Sequence, residues 1–200
     1  MNKTRLEAFS DGVFAIAITL LVFNISVPDC DYAHLRECII KMSPKILSYV
    51  MTFTLIGLYW IGHHFYFDRI KKVDGNFVWM NMVLLLFICF MPFPTALLGK
   101  FPYGKIPLLL YGLILIATNV HSFLMLKYLY KHRELVNDHF KDEFYRLQLP
   151  MFFWINMTYV VGIVFAFFLP AVSYVLYLIT MFAGVKIYVK RMNKTAREKE

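Results

Sequence analysis

Apolar residues in this chain are collected in long runs that are separated by short polar segments. Several of these runs are about 20 residues long, which is the length that crosses a bilayer as an α-helix. Thr4 and Glu7 have the spacing of a capping box, so a helix is predicted to begin beside them and to continue until Pro28 stops it. The first predicted span therefore covers residues 5–27.

Helix-start and turn residues divide the rest of the chain. Ser43 followed by Pro44 is typical of an N-cap with proline in the first helical turn, and it opens the second span. The last apolar stretch is about twice one membrane thickness, so we expect it to fold back at Pro170. The pattern predicts an all-α polytopic membrane protein, a single unit of six transmembrane helices over residues 1–200, with spans at 5–27, 44–67, 77–98, 107–129, 145–169 and 171–189.

Composition and charge agree with this prediction. The 200 residues are 60% hydrophobic and 17% charged, which excludes an ordinary water-soluble enzyme. The net charge of +8 would suggest a nucleic-acid partner in a soluble protein, but here its placement indicates orientation in the bilayer. We therefore predict a multi-pass protein of the cell membrane that has no nucleic-acid partner.

The distribution of basic residues predicts that both termini lie in the cytoplasm, because that orientation obeys the positive-inside bias. It leaves few cations outside, namely Arg36, Lys41, Lys45, Lys100 and Lys105. The cations that it places inside are Lys3, Arg5, Arg69, Lys71, Lys72, Lys127, Lys131, Arg133, Lys141, Arg146, Lys186, Lys190, Arg191, Lys194, Arg197 and Lys199.

Three groups of polar residues interrupt the predicted spans. They lie at residues 5–12 of the first helix, at residues 59–64 of the second, and at Asn81 with Pro92-Phe93-Pro94-Thr95 in the third. An ionisable side chain at membrane depth is costly, so it usually faces protein or water and organises either the bundle or its function.

A helical wheel separates two faces of the first helix. With Ile16 at 0°, Leu20 lies at about 40°, Phe23 at about −20°, Thr19 at about −60° and Asp11 at about −140°. Asp11 therefore faces away from the apolar stripe and toward neighbouring helices. Because an unpartnered carboxylate there would be costly, we expect an N–H donor of the second helix to bind it. The sequence leaves three donors open, which are Trp60, His63 and His64.

The polar segment of the first helix carries a recognisable pattern. Arg5-x-x-x-Phe9-Ser10-Asp11 resembles the RxxxFSD signature of the transmembrane protein 175 family, the lysosomal potassium channels and their prokaryotic relatives. Further stretches similar to the family are Tyr59-Trp60-x-x-His63-His64 and Asn81 with the Pro92-Phe93-Pro94-Thr95 break. The resemblance implies a potassium-conducting channel that assembles in the bilayer as a homotetramer, with the first helix of each copy lining the pore.

The resemblance also implies roles for single residues. Ile16, five residues after the signature aspartate, would form a narrow hydrophobic constriction, followed by Thr19 or Leu20 and then by Phe23. An aliphatic residue is expected at the position of Phe23. The signature residues and their partners would be structural, namely Arg5, Phe9, Ser10, Asp11, Trp60, His63, His64 and Asn81. Potassium is the implied permeant ion, without a cofactor or a bound metal, and the sequence lacks the Thr-Val-Gly-Tyr-Gly filter of other potassium channels.

The mode of transport is predicted from charged residues. No span carries Lys or Arg at every third position, so we expect a leak-like channel without voltage gating. A secondary transporter of a small cation or solute is the alternative, because transporters also use proline-broken helices and buried carboxylates such as Asp11. An enzyme is disfavoured, since the short pattern His63-x-x-x-x-Asp68 is its sole support and this aspartate belongs to a basic loop.

Overall fold

The structure is a computed structural model that describes residues 2–137, 140 and 142–197, with side chains described except at 142–147, 188 and 190–197. Of the cations assigned to the cytoplasm, Lys141 and Lys199 lie outside the described residues. The side chains of Arg146, Lys190, Arg191, Lys194 and Arg197 are likewise outside the described set.

The described part of the chain is almost entirely helical. Its α-helices are α1 (Lys3–Leu20), α2 (Leu35–Lys41), α3 (Ser43–Phe67), α4 (Gly75–Phe90), α5 (Pro92–Lys100), α6 (Lys105–Lys131), α7 (Asp142–Ala166) and α8 (Pro170–Arg197). Within the described residues, six helical segments are long and apolar enough to cross a membrane, with α4 and α5 together forming one of them. This confirms the predicted all-α protein with six membrane-spanning helices.

The two ends of the first span differ from the prediction. Asn2 caps α1 by accepting a hydrogen bond from the Thr4 N–H (3.1 Å), so the predicted capping box of Thr4 and Glu7 is wrong. At the other end, α1 stops at Leu20 and a 3₁₀ turn, Leu21–Asn24, follows. The regular helix therefore ends before residue 27.

Prolines mark the other departures from straight helices. Met42, and not Ser43, occupies the N-cap position of α3, with Pro44 in the first turn. The third span is divided at Met91 because Pro92 cannot donate a backbone hydrogen bond into the preceding turn. The Asn24 side chain donates to the Pro92 carbonyl (3.3 Å), which ties the end of the first span to this break.

The helices pack so that α1 lies at one side of the bundle and α7 and α8 at another. The main contacts of α1 are with α3 and α4, whereas α7 and α8 pack on each other and on α6. One apolar cluster surrounds Phe14 of α1 and Leu55 of α3. A second cluster surrounds Leu6 of α1 and Phe67 of α3. Residues of α1 and α3 that lie between these two clusters form the polar site described next.

Candidate functional site

One face of α1 is fully packed inside the protomer. Its buried residues recur every three or four positions and so form one stripe along the helix, which consists of Leu6, Ser10, Phe14, Ala17 and Leu21. This spacing is the reason that α1 seats against α3 and α4 by a single face. The polar member of the stripe, Ser10, lies between the two apolar clusters.

The opposite face of α1 is exposed in the protomer. Ile16 is 59% exposed and Phe23 is 79% exposed, and Thr19 and Leu20 are also exposed. The Thr19 hydroxyl donates to the Ile16 carbonyl (2.9 Å), so its oxygen keeps acceptor lone pairs toward the exposed side. All four residues that the sequence associates with the pore therefore lie on the face that the chain does not cover.

A buried hydrogen-bond chain joins α1, α3 and α4. His63 Nε2 lies 2.8 Å from Asn81 Oδ1, Asn81 Nδ2 donates to Ser10 Oγ at 2.9 Å, and Ser10 Oγ donates to the Leu6 carbonyl at 2.8 Å. These three polar side chains are almost completely buried. Each link thus provides a partner for a group that would otherwise be unsatisfied within the bundle.

The acceptors determine the direction of these hydrogen bonds. An amide oxygen can only accept, so His63 donates from Nε2 and the proton donors point successively toward the Leu6 carbonyl. The imidazole also stacks on Phe67, with centroids 4.3 Å apart, and contacts Phe14 at 5.4 Å. Packing and hydrogen bonding therefore hold the ring in one orientation.

Asp11 is bound at the edge of this network. Of the three donors that the sequence left open, Trp60 is the partner, and its Nε1 donates to Asp11 Oδ1 at 2.9 Å. His64 instead lies between two other carboxylates, 4.0 Å from Glu7 and 3.9 Å from Asp68. This geometry places Asp11 beside α3 and leaves the exposed stripe of α1 free of carboxylates.

Two residues of the sequence signature are placed differently. Arg5 and Phe9 are exposed, and the described residues give Arg5 no hydrogen bond or ion pair. On the helical wheel both lie within about 20° of Ile16, on the exposed face. The structure therefore brings Ser10, Asp11 and their partners together but leaves Arg5 and Phe9 outside the network of one protomer.

Known proteins match the segments that form this site. A family model described as endosomal/lysosomal potassium channel TMEM175 matches residues 5–92, which contain the exposed stripe and the whole hydrogen-bond network. A potassium channel of Chryseobacterium sp. is 32% identical over 206 residues, covering 99% of this chain and 100% of that protein. This chain belongs to the TMEM175 family.

Other TMEM175 proteins extend the comparison to fold and to vertebrates. The crystal structure of a lysosomal potassium-selective channel TMEM175 homolog from Chamaesiphon minutus matches with a TM-score of 0.82 and 27% identity, covering 93% of this chain and 97% of that one. The endosomal/lysosomal proton channel TMEM175 of Danio rerio is 24% identical over 205 residues, and this chain spans 39% of its length. TMEM175 is a family of ion channels and not of enzymes.

Sequence reasoning missed a second polar cluster in this TMEM175 chain. The Thr52 hydroxyl lies 2.9 Å from both the Thr95 hydroxyl and the Tyr111 hydroxyl, and Thr95 donates to the Met91 carbonyl at 2.7 Å. The cluster is buried and braces the α4–α5 break against α3 and α6. Thr95 belongs to the Pro92-Phe93-Pro94-Thr95 break, but Thr52 and Tyr111 carry no charge and lie in apolar runs, so only their polarity at membrane depth marks them in the sequence.

Proposed function

We propose that this protein is a potassium-conducting cation channel in which four copies surround an axis lined by α1. The observation that carries the proposal is the exposed face of α1, a helix that the protomer otherwise packs closely by its opposite face. A potassium channel of Chryseobacterium sp. that aligns over the full chain supports the choice of ion. The Chamaesiphon minutus structure, described as potassium-selective, supports it from the fold.

The constriction would be formed by Ile16. Four isoleucine side chains that meet at an axis exclude water when they are close, and a small rotation or splaying of α1 rewets the gap. The buried chain of Ser10, Asn81 and His63 supports this role because it fixes the rotation of α1 relative to α3 and α4. Ile16 is thereby presented away from the bundle.

Layers above the constriction would set how an ion is hydrated. A ring of Thr19 oxygens replaces part of the water that potassium sheds, and potassium sheds water more readily than sodium. Modest selectivity for potassium follows. Leu20 and Phe23 form the next apolar layers, and the aromatic ring of Phe23 on the 3₁₀ turn narrows the outer end. Conduction is leak-like because no span carries a row of gating cations.

Orientation and location complete the proposal. Six spans return the end of the chain to the side on which it began. The excess of Lys and Arg near both ends and in the Asp68–Asp74 loop region supports a cytoplasmic placement of that side, with the channel in the cell membrane.

Reconstitution into potassium-loaded liposomes tests the function. Potassium efflux that follows its own gradient, with no requirement for a second ion, is the expected result. A pH dye in the same vesicles separates proton flux from potassium flux. Strict dependence of efflux on a counter-ion or proton gradient would contradict the channel and support the secondary transporter.

A further inference from the structure

An open groove runs between α7 and α8, away from the α1 side of the bundle. It encloses about 350 Å³ and is lined mainly by apolar side chains, among them Met151, Trp154 and Thr158 of α7 and Ile179, Ala183 and Ile187 of α8. The lining residues run from 150 to 158 in α7 and from 179 to 187 in α8, which is eight residue steps along each helix. At 1.5 Å per residue the groove is therefore about 12 Å long, running inward from one membrane face.

The two threonine hydroxyls of the groove are already hydrogen-bonded. The Thr158 hydroxyl donates to the Trp154 carbonyl (2.9 Å), and the Thr180 hydroxyl donates to the Leu176 carbonyl (2.8 Å). Both hydrogen bonds stay within their own helix, so neither hydroxyl needs a polar partner from outside. A hydrocarbon chain fits these walls better than a polar ligand does, because burying apolar surface is favourable whereas burying a polar group without a partner is costly.

A row of cations continues from the groove along α8. Lys186, Lys190, Lys194 and Arg197 are spaced by four, four and three residues, and no acidic residue lies between the first and the last of them. On a helical wheel these positions and the groove positions Ile179, Ala183 and Ile187 fall within about 100° of arc. The apolar groove and the basic row thus share one face of α8.

The sequence of α8 changes from apolar to basic near the end of the last predicted span, which reaches residue 189. Lys190 and Arg191 follow directly, and Lys186, one turn before Lys190, is exposed. An acyl chain in the groove therefore has its headgroup beside Lys186. In the proposed tetramer α1 faces the axis, and this groove lies away from α1, so we argue for a lipid and not for a second copy of this chain.

We propose that the α7–α8 groove is a binding site for an anionic glycerophospholipid. One acyl chain lies against Trp154 and Ala183, and the headgroup phosphate lies at the level of Lys186, with Lys190 at the next turn of the same helix face. Two basic residues beside a membrane helix favour an anionic over a zwitterionic lipid by roughly tenfold or more. The site does not depend on the pore, and its test requires no ion flux.

Native mass spectrometry of the purified full-length protein tests the site by titration with phosphatidylglycerol or phosphatidylethanolamine of matched acyl chains. We expect phosphatidylglycerol to bind at roughly tenfold lower concentration. The double variant Lys186→Gln/Lys190→Gln should abolish this preference. The matched control Lys71→Gln/Lys72→Gln removes two exposed cations from the α3–α4 loop and should keep it. Ala183→Trp fills the groove at an exposed position and should reduce binding of both lipids.

Three results would overturn the proposal. Equal binding of the two lipids to the unsubstituted protein removes the charge preference. If the loop control loses the preference for phosphatidylglycerol and Lys186→Gln/Lys190→Gln keeps it, the anionic lipid binds elsewhere on the protein. A change in oligomer mass with Ala183→Trp, at unchanged lipid binding, identifies the groove as a contact between copies of this chain.

Discussion

The two faces of α1 differ in whether the protomer itself covers them. The face that contains Ser10 and Phe14 is buried, and its polar group is hydrogen-bonded within the protomer. The face that contains Ile16 and Phe23 is exposed along its length. Exposure alone does not distinguish a pore face from a lipid face, because Val161 of α7 is also exposed. The distinction is that a buried polar network fixes which side of α1 is left uncovered.

The hydrogen-bonded base of α1 and the proposed gate are therefore separate parts of one helix, one for orientation and one for permeation. The network of Ser10, Asn81 and His63 performs no ion chemistry in this account, and it acts by orientation. Substitutions on the buried face should therefore lower stability, and substitutions on the exposed face should change permeation.

Replacing Asn81 with Leu should cause the largest loss. It leaves the buried His63 Nε2–H without an acceptor and removes the donor to Ser10, at a cost on the order of 3 kcal/mol. For a chain of this size the melting temperature should fall by roughly 10 °C, as measured by thermal unfolding in detergent. The double variant Asn81→Leu/His63→Phe should recover part of that loss, because it buries no unpaired donor. Equal stability of Asn81→Leu and the unsubstituted protein would contradict the network.

Replacing Trp60 with Phe should cause a smaller loss. It removes the indole N–H that binds Asp11, but this pair is only partly buried, so we expect about 1 kcal/mol and a fall of a few degrees in melting temperature. Trp79→Phe is the matched control, since Trp79 is 74% exposed whereas Trp60 is 41% exposed. The same melting temperature for both variants would mean that the contact with Asp11 does not anchor α1.

Replacing Asp74 with Asn should cause the smallest loss, outside the α1 site. Asp74 caps α4 by accepting from the Phe77 N–H (2.8 Å) and also accepts from the Tyr128 hydroxyl. Burial raises the pKa of Asp74, but the hydrogen bonds from Tyr128 and Phe77 outweigh it and leave this pKa below its usual value. Because Asn is also a good N-cap, the expected loss at pH 7 is about 0.5 kcal/mol.

The pH dependence of the Asp74 variant follows from the sign of that shift. A carboxylate whose pKa is lowered by folding stabilises the protein above its unfolded pKa of about 4, and that stabilisation is lost as the pH falls through the lower, folded pKa. Melting curves of Asp74→Asn and the unsubstituted protein should therefore differ at pH 7 and converge in acid below about pH 4. A difference that grows on acidification would contradict the assignment.

The sequence was sufficient for the fold because membrane spans depend on the length of apolar runs, which is a local property. It was also sufficient to notice Asp11, Asn81 and the histidines, because polar groups at membrane depth stand out from their neighbours. Which of these groups contact one another is not determined by the local sequence. The choice of Trp60 over His63 and His64 depends on the register of α3 against α1, and a helical wheel gives the face of each helix but not that register.

The ends of the first span show the same limit. The capping box of Thr4 and Glu7 has suitable spacing, yet Asn2, two residues earlier in the chain, caps the helix by accepting from the Thr4 N–H. At the other end, the hydrogen bond between Asn24 and the Pro92 carbonyl joins residues 68 positions apart. No pattern confined to residues 5–27 contains that partner.

The permeability ratio of potassium to sodium in an Ile16→Asn variant tests the central claim most directly. A polar side chain at this position should wet the constriction, so that conductance rises and the ratio moves toward one. Val161→Asn places the same substitution at a residue of α7 that is 42% exposed, and it should leave both quantities unchanged. Conductance and a permeability ratio in Ile16→Asn that match those of the unsubstituted protein would contradict the assignment of the exposed face of α1 to the pore.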